Sequence, residues 1–267
     1  MPKKYFATII AILLTSGIVV CQPNTGNTNI RDEKGRKQGT WTKLYKNGKV
    51  AYTAKFKDDR PADTLKRYTE EGTLKVVMIF DKTGTIATTT YFHPNGKLAA
   101  EGKFINQKKD GEWKYYTPEA SLLMVENYSN TNLHGIRKRF YTDGKIMEEL
   151  TFANGNPNGT WNTYFPDGRY KYMGNYKQGK LNGDMKNFYS NGRLASEGQY
   201  RDGLKEGEWK FYTENGEKVQ KVVYTNGIPD NKDLIDKQQT QQLLELEKNI
   251  GRIAEPTVES VLEKMGQ

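Results

Sequence analysis

Two histidines, His93 and His134, a lone cysteine, Cys21, and two adjacent carboxylate pairs, Glu70-Glu71 and Glu148-Glu149, are the residues in this 267-residue chain whose types could do chemistry. A histidine can serve a nucleophile as general base, and paired carboxylates can act on a glycosidic bond. Neither histidine stands near a serine or cysteine in a recognisable motif, and no spacing suits a three- or four-ligand metal site. The carboxylate pairs recur at no fixed position and read as solvent-facing. The expectation is therefore no catalysis, no cofactor and no metal.

What does recur is structural. GEWKYYTPEA at Gly111 returns as GTWNTYFPDG at Gly159 and GEWKFYTENG at Gly207, in steps of 48. A finer period of 24 carries a turn glycine at Gly48, Gly72, Gly96, Gly144, Gly168, Gly192 and Gly216, with Ala120 in the remaining slot. Two ring columns keep the same step: Leu44, Tyr68, Phe92, Tyr116, Phe140, Tyr164, Phe188, Tyr212, and Phe56, Phe80, Phe104, Tyr128, Phe152, Tyr176, Tyr200, Tyr224. Against a 12% aromatic composition this is an array of eight units without insertion or deletion. With 35% hydrophobic residues and 26 glycines, the chain reads as short strands and turns rather than one large core.

Each unit predicts a hairpin. Asn47-Gly48, Asn95-Gly96, Asp143-Gly144, Asp167-Gly168, Asn191-Gly192 and Asn215-Gly216 predict type I′ turns. A two-residue turn sets Trp161 opposite Gly174 and Trp41 opposite Ala54, and puts the two ring columns on opposite faces. A bulged three-residue turn would put both columns on one face. The fold expected is all-β: an elongated single-layer antiparallel meander of about eight 24-residue hairpins over 39–229.

The ends differ. Lys3 and Lys4, then an apolar run from Phe6 to Val20, read as an export signal over 1–20, too short for a bilayer span. Cys21 stands where a bacterial lipoprotein is acylated, with a polar linker to residue 38; cleavage near Gly17 is the other outcome, because Val19 and Val20 are not small. After Pro229, the segment 230–267 places Leu243, Leu246, Ile250 and Ile253 at helical spacing, a short cap for the open edge or a partner-binding helix.

Units such as GDMKNFYSNGRLASEGQYRDG and GEWKFYTENGEKVQKVVYTNG resemble the MORN repeat variant, which runs Gly-x-Trp-x-x-Tyr-Tyr-x-x-Gly-Lys/Arg-Leu and closes on Tyr-x-x-Gly. The resemblance covers Gly39 to Gly227. Units two and three depart most, with Asp63 and Ala87 for the leading glycine and Leu65 and Thr89 for the tryptophan; they are expected to bend differently or bind nothing. The resemblance implies contact rather than turnover: bacterial members are labelled antitoxin-like, and the wider group is associated with scaffolding and membrane attachment.

Two surfaces are candidates for that contact. One is a row of cations after the turns, Lys49, Lys97, Lys145, Arg169 and Arg193, in a chain of net charge +9, suited to anionic lipid, envelope polysaccharide or an acidic protein. Solvated turn lysines are the alternative. The other is the tryptophan column, Trp41, Trp113, Trp161 and Trp209, which could stack on glycan or peptide or simply pack the sheet. No nucleic acid is expected. The function expected is an exported, non-enzymatic binding or scaffold protein, anchored to the envelope through Cys21. An antitoxin-like partner of a toxin is the alternative, and an envelope glycan-binding or hydrolytic protein the third.

Overall fold

The computed structural model describes residues 28–230. The export signal, Cys21 with the first part of its linker, and all of the expected helical segment beyond Asp230 lie outside the described residues.

Among the described residues every regular element is a strand. Sixteen strands of six to nine residues and four of two residues form one open antiparallel sheet. Each long strand pairs with the next along the chain, from Lys37–Leu44 to Lys218–Thr225, as the meander requires. The outermost strands are flanked by Ile30–Arg31 and Ile228–Pro229. Beside the first of these, Asn29 completes the edge with its side chain, donating to Thr42 O and accepting from Thr42 N–H.

The register is the expected one, Trp41 opposite Ala54 and Trp161 opposite Gly174, but the turns that produce it are not. At Asn47-Gly48 and its equivalents only the glycine has positive φ. Gly48 N–H donates to Tyr45 O and Tyr45 N–H to Lys49 O, which is a type I turn closed by a bulge glycine. In five of the six turns, all but Asn215-Gly216, the Asn or Asp is there as an acceptor, taking the N–H two residues on, at 3.0 Å from Asn47 to Lys49. A one-residue slip between Lys43 and Leu44 then absorbs the extra turn residue, so the ring columns still separate onto opposite faces.

The type I′ turns sit at the other end of the strands. Asp58-Asp59, Asn106-Gln107, Asn130-Thr131, Asn154-Gly155, Gln178-Gly179, Asp202-Gly203 and Asn226-Gly227 all carry positive φ at both positions. In the bulged row, Ala120 is held at φ +76 where the other units have glycine. Ala120→Gly is expected to raise stability by about 1 kcal/mol, seen as a higher urea midpoint at unchanged slope.

The leading glycines make a second bulge. Gly39, Gly111, Gly135, Gly159, Gly183 and Gly207 have φ between +67 and +123, and Asp63 takes +63 in their place. Across the Gly159 position the pairing steps from Leu150 with Trp161 to Phe152 with Pro157. Ala87 does not adopt this conformation. Its strand pairs with Leu74–Phe80 without a slip, and the missing bulge is replaced by a longer connection from Asp81 to Ile86. Unit three therefore does bend differently. The Asp81 carboxylate organises that connection, accepting from Thr83 Oγ1 and from the N–H groups of Ile86 and Thr85, which lowers its pKa to about 2.

Burial concentrates on the tryptophan face. One cluster joins Leu150, Phe152, Trp161, Tyr172, Met185 and Trp209, and a second joins Ala100, Trp113, Tyr115 and Met124. The second ring column shares this face: Phe56, Phe104, Tyr176 and Tyr200 meet indoles edge to face. The first column lies opposite, where Tyr116, Tyr164 and Tyr212 donate to Glu101, Glu149 and Glu197.

Candidate functional site

The four tryptophans do not form an open ladder. Trp113 and Trp209 are 1% exposed and Trp161 5%. Trp113 and Trp209 lie over glycines of the preceding strand and donate Nε1–H to the next carbonyl, Lys103 O at 3.2 Å and Gln199 O at 3.1 Å. A Cβ on Gly102 or Gly198 would stand 2.2 or 2.3 Å from the ring, so only glycine admits this approach. In the sixth unit Leu150 fills the glycine slot, and Trp161 instead lies near Gly174 and donates to Glu148 Oε1 at 3.0 Å. Trp41 alone keeps partial exposure, with the Arg31 and Lys37 cations 5.2 and 5.0 Å from its ring centre. The column packs the sheet and leaves little indole for a ligand to stack upon.

Lysines complete that packing. Lys37, Lys109 and Lys205, each four residues before a tryptophan, place their ammonium 5.0, 4.6 and 4.8 Å from its ring centre. Lys109 also donates to Tyr115 Oη at 2.9 Å. Burial lowers the Lys109 pKa and pushes the Tyr115 and Tyr128 phenols well up, with the Glu126 carboxylate adding to the latter two.

At the middle of the array the pattern breaks into charge. Arg137 occupies the tryptophan column and Glu126 the glycine column, and the pairing of Lys138 with Val125 sets the two opposite each other. Glu126 is buried and accepts from Tyr128 Oη at 2.6 Å. Glu148 meets Arg139 at 3.5 Å, Arg137 at 3.7 Å and the Trp161 indole N–H. The carboxylate pair that read as solvent-facing is thus split: Glu148 points into this seam, and Glu149 lies on the other face with Lys138 and Tyr164. The signal was present in the sequence, as two columns that change together from Gly and Trp to Glu and Arg.

The cation row is where the period places it, and it has an internal use. Lys49, Lys97, Lys145 and Arg193 reach the neighbouring turn, donating to Glu71 O, Glu119 O, Pro166 O and Glu214 O at 2.8 to 3.4 Å. Arg169 pairs with Asp167. Asn47, Asn95 and Asn191 add a parallel bond from each turn to the next. His93 stands in a tyrosine column and donates Nε2–H to Tyr116 O at 2.9 Å, as Tyr45, Tyr141 and Tyr189 do to Tyr68, Tyr164 and Tyr212. His134 contributes a backbone N–H to Asn127 O. Among the described residues no group of three metal-ligating side chains comes together.

The MORN repeat variant model matches residues 37–58, 87–106, 133–154, 157–178, 181–202 and 205–226. These six segments are MORN-variant repeats. The second unit and the fourth fall between matched segments, while the third matches from Ala87 onward. The fourth thus departs more than its tryptophan suggests, through Ala120 in the glycine slot and Glu126 in the next column. MORN repeats commonly mediate binding to proteins or membrane lipids and generally act without catalysis. No curated protein matches the chain. Among solved structures, TarM of S. aureus is 14% identical over 35% of this chain and 20% of its own, with a TM-score of 0.27. A mutant TCP10 domain of Danio rerio CPAP is 16% identical over 73% of this chain and 93% of its own, with a TM-score of 0.30. This chain spans about a fifth of the length of TarM, and neither likeness bears on function.

Proposed function

We propose that this MORN-repeat chain is an exported, non-catalytic binding or scaffold protein, tethered to a bacterial cell envelope through an acylated Cys21. The observation that carries the reading is the division of labour between the faces. Indoles, lysine stems and buried charges close most of one face with the chain's own side chains, which leaves the opposite face, the turns and the stretch of units two and three that lacks an indole for contact. That opposite face exposes Ile79, Ile136 and Val223 among lysines and carboxylates, a mixed surface of the kind that suits a protein partner. The apolar run before Cys21 supports export, and the lysines of the turns suit an anionic envelope component as a secondary contact.

The test combines fractionation, labelling with a palmitate analogue and crosslinking in intact cells. Wild type is expected in the membrane fraction, labelled, with one dominant crosslinked protein; Cys21→Ala should lose the label and the fraction. An unlabelled cytoplasmic pool held one-to-one by a toxin would replace this reading with the antitoxin-like one.

A further inference from the structure

The two adjacent units that lack both the indole and the lysine over it, the second and the third, enclose a hollow of about 450 Å³ on the tryptophan face. Pro61, Met78, Phe80, Ala87 and Phe104 form its floor, and the turns at Asp59-Arg60 and Asn106-Gln107 its rim. Its origin is legible in the columns. Leu65 and Thr89 stand where other units carry an indole, and Pro61 and Thr85 where Lys37, Lys109 and Lys205 cover that indole. Both fillers are missing together. Phe80 consequently has no ring contact among the described residues, whereas Phe56, Phe104, Tyr176 and Tyr200 of the same column each meet an indole edge to face, with centroids 5.0 to 6.2 Å apart.

The rim is built at a cost. The second turn position is Gly155, Gly179, Gly203 and Gly227 in the last four units, but Asp59 at φ +64 and Gln107 at φ +66 beside the hollow and Thr131 at φ +80 away from it. Side chains are unfavourable in that conformation. Asp59 has a local reason, since its carboxylate accepts from Lys37 N–H at 2.8 Å. Gln107 has none: among the described residues neither its amide nor the Arg60 guanidinium makes a hydrogen bond or ion pair, and both are exposed at the mouth.

From this we infer that the hollow is a binding site for an aromatic side chain of a partner polypeptide that carries a carboxylate beside it. The ring would take the place against Phe80 that an indole takes elsewhere in the array, Arg60 would pair with the carboxylate, and the Gln107 amide would meet the adjoining peptide group. The array itself supplies the template for the ligand. This deepens the binding-module reading by giving its partner a chemistry, and it rests on that reading for the partner being a protein.

The probe is N-acetyl-L-tryptophan, titrated into the full-length chain labelled at its methionine methyl groups, with N-acetyl-L-tryptophanamide and N-acetyl-L-leucine as comparisons. The Met78 methyl is expected to shift saturably with the first, several-fold more weakly with the amide, and not with the leucine compound. Met124, Met173 and Met185 should stay put and report an intact fold. Ala87→Leu, on the floor, should abolish the shift. Arg60→Ala should erase the preference for the carboxylate. Gln107→Gly should weaken binding while raising the melting temperature, an outcome that a purely structural role for Gln107 would not give. No saturable Met78 shift, an equal response to N-acetyl-L-leucine, or unchanged binding in Gln107→Gly and Arg60→Ala would overturn the site. A crosslinked partner that survives Ala87→Leu in cells would leave the scaffold reading intact and overturn only this assignment; a Met78 response without any partner would do the reverse.

Discussion

Gly198→Ala is expected to destabilise the protein by about 3 kcal/mol, the upper end of the range for overpacking a filled site. For a domain of this size the melting temperature should fall by about 6 to 12 °C in a thermal scan. The new Cβ would stand 2.3 Å from Trp209 Cδ2, and the indole is 1% exposed, held by its Nε1–H bond to Gln199 O and by Tyr200 and Tyr224 at its edges. It has nowhere to retreat. The array also names the compensation. Ala54 is followed by Leu65 across the strands, a pair of columns that combines a methyl with a smaller partner. Gly198→Ala together with Trp209→Leu should therefore recover part of the loss relative to the sum of the single changes, a coupling read from a double-mutant cycle. Strict additivity of the two costs would show that the columns are independent and that the close approach is not what selects glycine.

The period, the strand count and the register were legible because each rests on residues that repeat. Side-chain alternation in a strand has period two, so a fixed 24-residue step returns every column to the same face whatever the turn. The turn chemistry was not legible in the same way. Asn-Gly serves both a type I′ turn and a type I turn with a bulge glycine, and Asn47 is there to accept the Lys49 N–H, not to adopt positive φ. Of the pairs that do adopt it, Asp58-Asp59 and Gln178-Gly179 look unremarkable in sequence, whereas Asn154-Gly155, Asp202-Gly203 and Asn226-Gly227 carry the same dipeptides as the bulged row, so the dipeptide alone does not tell the two turns apart. The 48-residue phrase has its cause in alternate hairpins. Tyr45, His93, Tyr141 and Tyr189 bond forward to the next unit's carbonyl, and the units between them carry Thr69, Thr117 and Thr213, each accepting from its own turn. The tryptophans were visible as a column but their burial was not, because it depends on which partner column is glycine. The hollow was invisible as a shape, although its cause, two adjacent units lacking both indole and lysine, was written in Leu65, Thr89, Pro61 and Thr85.

Glu148→Gln is expected to cost about 3 to 5 kcal/mol in urea unfolding, the loss typical of removing one partner from a buried ion pair. The carboxylate is 8% exposed and serves Arg137, Arg139 and the Trp161 indole N–H together. An amide can still accept from the indole but leaves two guanidiniums facing an uncharged group. High salt should change the cost little, because the site is shielded from solvent; a cost below about 1 kcal/mol would mean that water already solvates these groups as at a surface. The larger consequence concerns pairing. In an array of similar hairpins, a strand that pairs with the wrong unit can still find a glycine for its indole, as Trp209 would at Gly174 and Trp161 at Gly174 or Gly198, so the packed columns alone discriminate incompletely among registers 24 or 48 residues apart. Glu126, Arg137 and Glu148 complement one another in one alignment only, and any shifted pairing buries a charge without a partner. The double change Glu126→Gly with Arg137→Trp restores the ordinary glycine and indole pair and leaves Arg139 to meet Glu148, so it should cost less equilibrium stability than Glu148→Gln while losing that discrimination. Its refolding is expected to become multiphasic, with a slow phase and a concentration-dependent aggregated fraction that wild type lacks. Single-phase refolding of this variant at wild-type yield would show that the seam contributes stability alone and that register is set elsewhere, in the bulges and the turn-to-turn bonds.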